Sequence, residues 1–274
     1  IGKSEIKTEI QLDYMDNDLK NSLWNVLHQY IIYPLIDTIS LRKSLYKEFV
    51  YSLWFNHFKE PIDDIPKDTF DIKYEIRDRY FKWDYLEVYD FIDFIVKADN
   101  LPFTIDEFVN DCNHVLKREL SGYRFVNLRL SPITDEIQIK GIENAINQSS
   151  VSDFVGVNLQ LENALNKLSD RKNPDYRNSI KESISAVESI CKQIAGEDKY
   201  ELSKAINKLS KTLPIHGALK EGFTKLYGYT SDSDGIRHAM MKDDNLDQED
   251  ALYMLISCSS FVSYLIVKWD KFNK

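Results

Sequence analysis

Paired cysteines are what this chain most plainly lacks. Cys112, Cys191 and Cys258 stand far apart among 274 residues, in no spacing that suits a disulfide framework or a zinc cluster. They read as small buried hydrophobes in a protein kept in a reducing, cytoplasmic compartment. Histidine is equally sparse, with five residues and no His-x3-His or Glu-x2-His pairing. That argues against a protein-built metal site, and no cofactor is called for. Gly-rich phosphate loops, a Gly-x-Ser-x-Gly elbow and kinase signatures are absent too. No apolar run reaches the roughly 18–20 residues that a membrane-spanning helix needs. The longest stretch, Leu252 to Val267, is interrupted by Ser257, Ser259, Ser260 and Ser263 and reads as a buried core helix, so no membrane partner is expected. The opening Ile1-Gly2-Lys3-Ser4 carries neither a Met nor the apolar core of a signal peptide, and no secretory leader is expected. Excess positive charge is missing as well. The net charge of −9 disfavours a general nucleic-acid coat, although charge is uneven. Residues 151–230 hold twelve Lys/Arg against ten Asp/Glu, whereas 231–250 hold two against seven, so an acidic average still leaves room for a local basic groove.

What is present is helical periodicity, in a chain that is 43% hydrophobic and 12% aromatic. Asp16-Asn17-Asp18 caps a helix with apolar residues at 19, 23, 26, 27 and 30. A second helix is predicted from Ser44 to Lys59, with Leu45, Phe49, Leu53 and Trp54 on one face. Tyr74 to Lys97 reads as one long aromatic helix, and Thr104 caps another over Ile105 to Leu120. From Tyr123 to Leu130 the pattern alternates, as a half-buried strand does, and Ser131-Pro132 marks a turn. An amphipathic helix then starts near Glu136. The second half predicts helices over Phe154–Ser169, from Pro174 to Ala195, over Tyr200–Thr212, from Pro214 to about Tyr227, and from beyond Asn245 to Lys268. Short connections between them favour an antiparallel bundle. The expected fold is mainly α: an N-terminal helical domain over 1–120, a β-hairpin and helix connector over 121–150, and a C-terminal four-helix bundle over 151–274.

Arg237 and His238 form the pair with the most chemistry, after an acid-rich loop and before the last helix. Arginine forks onto phosphate oxygens, and histidine exchanges protons near neutrality. Together, without a metal, they suffice to assist attack of an RNA 2′-hydroxyl on its own phosphodiester. The pair equally suits a solvated loop edge or a helix cap. On the helix beginning near Pro174, Ile180, Ile184, Val187, Cys191 and Ile194 make one stripe, and Arg177, Lys181 and Glu188 fall along its flank. From there Glu188 either orients Arg237 or His238, or makes an intrahelical pair with Lys181 or Lys192. His216 bonds locally in a helix's first turn. His28, His57 and His114 read as polar edges of an aromatic core, and the aromatic residues of 74–94 as core with a solvated acidic face.

Three stretches resemble a known family. Asp16 to Asn25 is similar to the opening of an N-terminal domain of AbiJ-type abortive-infection proteins, and Phe125 to Ile139 resembles the connector that follows it. Asn173 to Glu182 and Asp234 to Ala239 resemble that family's HEPN-type C-terminal domain. The resemblance implies a phage-defence toxin: a dimeric, metal-independent endoribonuclease with an Arg-x4–6-His motif at the dimer seam. Arg237 matches the motif arginine and His238 follows it. Met241-Lys242-Asp243 stand where a second histidine belongs. Glu188 matches an acidic residue of the second bundle helix, with Arg177 in support. The implied partners are RNA, a second copy held through the C-terminal domain, and a phage-derived or host protein trigger. A non-catalytic HEPN module that binds RNA, nucleotide or a partner protein is the alternative.

Overall fold

The computed structural model describes residues 7–99, 101–197, 199–231 and 246–273. It is mainly α-helical, with one short hairpin, and separates into two compact units, Ile1–Thr134 and Asp135–Lys274.

In the first unit, α1 (Asn17–Leu27) starts where the Asp16 side chain accepts the Leu19 N–H at 2.8 Å, as an N-cap must. It runs on through a π-helical turn, His28–Ile32, into the short α2 (Tyr33–Leu35). Pro34 has no N–H to return to the Tyr30 carbonyl four residues earlier. The Tyr46 hydroxyl donates to that carbonyl instead, and burial pushes the Tyr46 phenol up to about 12. The helix expected from Ser44 begins later, as α3 (Lys47–Ser52), and again passes into a π turn, Leu53–Phe58. The Ser44 hydroxyl accepts the Tyr46 N–H in the turn before α3, so Leu45 lies outside the helix and is 80% exposed, while Phe49, Leu53 and Trp54 are buried.

The single helix expected over Tyr74–Lys97 is two. α4 (Thr69–Lys82) and α5 (Tyr85–Val96) are separated by an extended Trp83. Asp84 and Glu87 form a reciprocal capping box that starts α5, a stronger local instruction than continued apolar periodicity. Lys20 stabilises the break from α1 by donating to the carbonyls of Phe81 and Trp83. Tyr80 is fully buried and donates to the Lys20 carbonyl at 2.9 Å. α6 (Ile105–Arg118) closes the helical layer. At its end Gln11 bridges to Ser121: its N–H donates to the Leu120 carbonyl, and its carbonyl accepts from Gly122, both at 2.8 Å. A Cβ on Gly122 would stand 2.4 Å from Leu12 Cδ2, the movable end of an exposed side chain, and 3.1 Å from the Gln11 carbonyl, so glycine lets the two segments pair without displacing Leu12. Lys7 adds ion pairs to Asp16 at 2.8 Å and Glu119 at 2.6 Å.

The alternating stretch that follows forms the expected hairpin, with its turn inside the stretch at Asn127-Leu128 rather than at Ser131-Pro132. β1 (Arg124–Val126) pairs antiparallel with β2 (Arg129–Ser131), Phe125 opposite Leu130. Asn127 and Leu128 turn the chain with φ of 46° and 61°, the left-handed pair that a two-residue hairpin turn requires. The Asn113 side chain brackets Phe125, accepting its N–H at 2.8 Å and donating to its carbonyl at 3.1 Å.

The second unit opens with α7 (Glu136–Ser150), capped by Asp135, followed by α8 (Val155–Leu168), α9 (Tyr176–Ala195), α10 (Leu202–Thr212), α11 (Gly217–Ser231) and α12 (Gln248–Phe272). α9 is the axis of this unit and packs on α8, α10 and α12. Ser179 and Ser183 are fully buried on it, donating to the carbonyls of Ala164 and Ser179, so small side chains let α8 approach closely. α11 starts at Gly217, later than the expected Pro214, because His216 Nδ1 accepts the Ala218 N–H at 3.2 Å in the manner of a cap. α12 exceeds the stretch read from sequence. Its 25 residues include an 18-residue window of mean hydropathy 1.6, long and apolar enough to cross a membrane by length and composition, with half of that window buried inside the protein. The serines that interrupt the pattern do not limit it: Ser259 is fully buried in the same helix.

Candidate functional site

The predicted supporting residues lie on α9, and the start of that helix forms a small cavity. Asp175 caps it, accepting the Asn178 N–H at 3.0 Å and its side-chain amide at 2.8 Å. Burial alone would raise the Asp175 carboxyl, but these bonds, with the fields of Lys167 and Lys181, hold it below its ordinary range. Arg177 and Lys181 follow on successive turns. With Tyr176, Asn178 and Leu246 they line a cavity of about 400 Å³. Burial raises the Tyr176 phenol, and the nearby carboxylates Glu249 and Asp247 at the start of α12 raise it further.

The cavity therefore sets a guanidinium and an ammonium one helical turn apart, with an aromatic wall and a carboxylate cap at its edge. Such a pair suits the non-bridging oxygens of a phosphodiester. Glu188 lies on the same flank of α9, about 16 Å further along at the 1.5 Å rise of an α-helix, so it and Arg177 do not meet. Of the two roles open to Glu188, the structure displays the intrahelical pair, to Lys192 at 2.8 Å. Arg237 and His238 lie outside the described residues. Leu246, the first described residue after them, is the one that reaches the cavity.

Sequence reasoning missed Tyr176, Asn178 and Leu246. The Asp175-x2-Asn178 spacing was the available signal for the first two, because a capping pair fixes where a helix starts and therefore which side chains ring its mouth. Leu246 gave no signal: it follows an acidic loop and acquires a role only through the arrival of α12. Among the described residues no histidine lines this cavity. His57 is packed among Phe58, Trp83, Phe91 and Phe94, with ring centroids 5.0–5.7 Å away, in keeping with its reading as a polar edge of the aromatic core.

Comparison with curated proteins and with solved structures finds no match. Residues 1–148 match a family described as AbiJ N-terminal domain 4, more than half of the chain. The match spans the helical first unit, the hairpin and nearly all of α7. The chain thus belongs to the AbiJ N-terminal domain 4 family and is an AbiJ-type abortive-infection protein.

Proposed function

We propose that this protein is a cytoplasmic phage-defence toxin whose second unit is a HEPN-type, metal-independent endoribonuclease. The observation that carries the reading is the cationic mouth of α9, where Arg177 and Lys181 line one cavity. It is supported by membership of an abortive-infection family and by the Arg237-His238 pair in the sequence. In this reading Arg177 and Lys181 grip the RNA backbone. His238 takes the proton from a 2′-hydroxyl, whose oxygen attacks the adjacent phosphorus. Arg237 stabilises the charge on the crowded phosphorane, and the 5′-oxygen leaves with a proton drawn from solvent water, while His238 returns its own proton to solvent. The products are a 2′,3′-cyclic phosphate and a 5′-hydroxyl end. Glu188, paired with Lys192, supports the helix that carries the cationic residues. A homodimer through the second unit completes the active species, and a phage-derived or host protein releases it.

Wild-type and His238→Ala protein incubated with mixed RNA in EDTA test this directly. Cleavage by wild type alone, leaving cyclic phosphate ends, is the expected result. Equal cleavage by both removes His238 from the reaction. Arg177→Ala is expected to raise KM more than it lowers kcat. Light scattering that returns a monomer throughout the micromolar range would remove the dimer.

One sequence feature favours a second reading. Met241-Lys242-Asp243 occupy the place of the motif's second histidine, which suits a non-catalytic module that binds RNA, nucleotide or a partner protein. Under that reading RNA is retained by the cationic cavity in a gel shift, and no condition yields cleavage.

A further inference from the structure

The last helix carries an apolar face that its own unit leaves open. α11 and α12 border a groove of about 620 Å³. α12 supplies Tyr253, Ile256, Ser257, Ser260, Phe261 and Tyr264, and α11 supplies Leu219 and Phe223 beside them. Among the described residues, none of the lining side chains is charged. Phe223 stacks on Phe261 with ring centroids 3.5 Å apart, and Phe261 is buried. Tyr253 and Leu219 have no such cover and are 60% and 39% exposed. Ser260 is exposed as well, and Ser257 and Tyr264 are half-buried. Uncharged apolar surface of this kind marks an interaction site.

The order of residues along α12 specifies what fits this face. Tyr253, Ser257, Ser260 and Tyr264 follow one another at intervals of 4, 3 and 4 residues, the alternation that forms the seam between two packed helices. They also read the same in both directions about the point between Cys258 and Ser259, and the apolar pair Ile256 and Phe261 continues that symmetry. A twofold interface needs a surface that complements itself. In an antiparallel pair centred on that point, Tyr253 meets the partner's Tyr264 and Ser257 meets the partner's Ser260. The small serines let the helices approach closely at the centre, and the tyrosines close both ends. Charge selects this direction over a parallel one. Glu249 and Asp250 lie in the first turn of α12, whereas Lys268 and Lys271 outnumber Asp270 near its end. Lys268 Nζ stands 5.6 Å from the centre of the Tyr264 ring, so one of these cations already lies beside the seam. Antiparallel packing sets each acidic first turn beside a basic end and opposes the helix dipoles. Parallel packing would set like charges together.

We propose that this face of α12, bordered by α11, binds the same face of a second copy of the chain as an antiparallel helix pair, with the twofold axis level with the Cys258–Ser259 peptide. The proposal rests on the homodimer of the reading above, to which it assigns a face and a direction, and it stands whether or not the protein cleaves RNA.

Light scattering of the full chain across the micromolar range tests the face. Wild type is expected to be a dimer. Ser260→Lys seats an ammonium at the centre of the seam beside the one on its copy, and is expected to weaken dimerisation roughly 100-fold or more. Tyr253→Ala is expected to weaken it about 10-fold, and Ile137→Lys, at an exposed residue of α7, to leave it unchanged. All three side chains are exposed in a single copy, and circular dichroism identical to wild type shows that each variant is folded. Cross-linking tests the direction. Antiparallel copies hold Glu249 level with the partner's Lys268, and hold each of these positions about 28 Å from its own counterpart at the rise of an α-helix. Co-expressed Glu249→Cys and Lys268→Cys chains are therefore expected to be joined by a short bismaleimide, and neither variant alone. The native Cys112, Cys191 and Cys258 are buried and do not compete. Joining within either single variant would make the pair parallel and overturn the direction. A wild-type dimer that Ser260→Lys and Tyr253→Ala leave intact overturns this face but not the homodimer, whereas a wild-type monomer overturns both. A wild-type monomer that floats with phosphatidylcholine vesicles would give the face to a lipid surface instead. A dimer that meets these tests but cleaves no RNA removes the ribonuclease and leaves the face standing.

Discussion

The two units solve the burial problem with different side chains. The first is held by large rings that carry polar tips. Trp24 packs on Tyr80 and Phe81 with centroids 5.0 and 5.5 Å apart, and Trp54 on Phe58 at 4.9 Å. The tips find partners: Tyr46 on the Tyr30 carbonyl, Tyr80 on the Lys20 carbonyl, Tyr89 on the Ser121 hydroxyl. The second is held by aliphatic and small residues, such as Ile180, Ile184, Ala186 and Ser183 on α9 and Leu161, Ala164 and Leu165 on α8. Aromatic residues with directional tips force irregular backbone, seen here as two π-helical turns and a broken α4–α5 pair. Small residues instead allow straight helices to lie close together, whose ends then gather charge.

Substitutions matched across the units sharpen that contrast. The largest effect is expected for Trp54→Ala, which removes a side chain only 1% exposed and costs about 3–5 kcal/mol of stability in chemical denaturation. Leu161→Ala in α8, fully buried, is expected to cost about 2–4 kcal/mol, and a larger cost than Trp54→Ala would undo the view that rings dominate. Next, Tyr46→Phe takes a donor from the Tyr30 carbonyl and is expected to cost about 1–2 kcal/mol; a neutral result would mean that water replaces the hydroxyl. Asp175→Ala removes the cap of α9 and is expected to cost about 1 kcal/mol, seen as a lower melting temperature.

Acid probes the ion-pair cluster around Lys7 in the first unit. Burial raises Asp16 and Glu119, but the Leu19 N–H and Lys7 at Asp16, and Lys7 and Arg118 at Glu119, outweigh it and hold both below their ordinary values of 3.8 and 4.5. A depressed folded-state pKa means that the unfolded chain binds more protons, so this stabilisation is complete above the ordinary values and is lost as pH falls through the folded ones. Lys7 is raised, with burial opposing and Asp16 and Glu119 prevailing, and its share persists until strongly alkaline pH. Stability of Lys7→Met measured from about pH 6 to 2 is expected to fall less steeply than that of wild type. A parallel pair of curves would show that the cluster contributes nothing. The smallest effect is a gain: Leu128 sits at φ 61° and is 44% exposed, so Leu128→Gly is expected to stabilise the hairpin by up to about 1 kcal/mol.

Local chemistry made most of the helices legible. Asp16, Asp135 and Asp175 each accept an N–H in the first turn of a helix, and such a cap acts within three residues, so it can be read from the chain alone; Asp84 does the same for α5, but the apolar periodicity running through it hid that start. Gly196, with φ of 68°, ends α9 where expected, by the same locality. The mainly helical fold was accessible on these terms, and the abortive-infection family through the resemblance of Asp16 to Asn25 and Phe125 to Ile139. Arg177 and Lys181 were recognisable as neighbours because 100° per residue puts them on one flank.

What the sequence alone did not decide depends on partners distant along the chain. Lys20 stabilises the α4–α5 break some sixty residues away, and Tyr46 satisfies a carbonyl freed by Pro34. Leu246 joins a cavity with Arg177. Gln148, Gln193 and Trp269 share another only because three helices end at one place. Periodicity records which face of a helix is apolar. Which helix ends meet, and therefore where charge of one sign collects, is set by tertiary packing between segments that carry no local signal of each other.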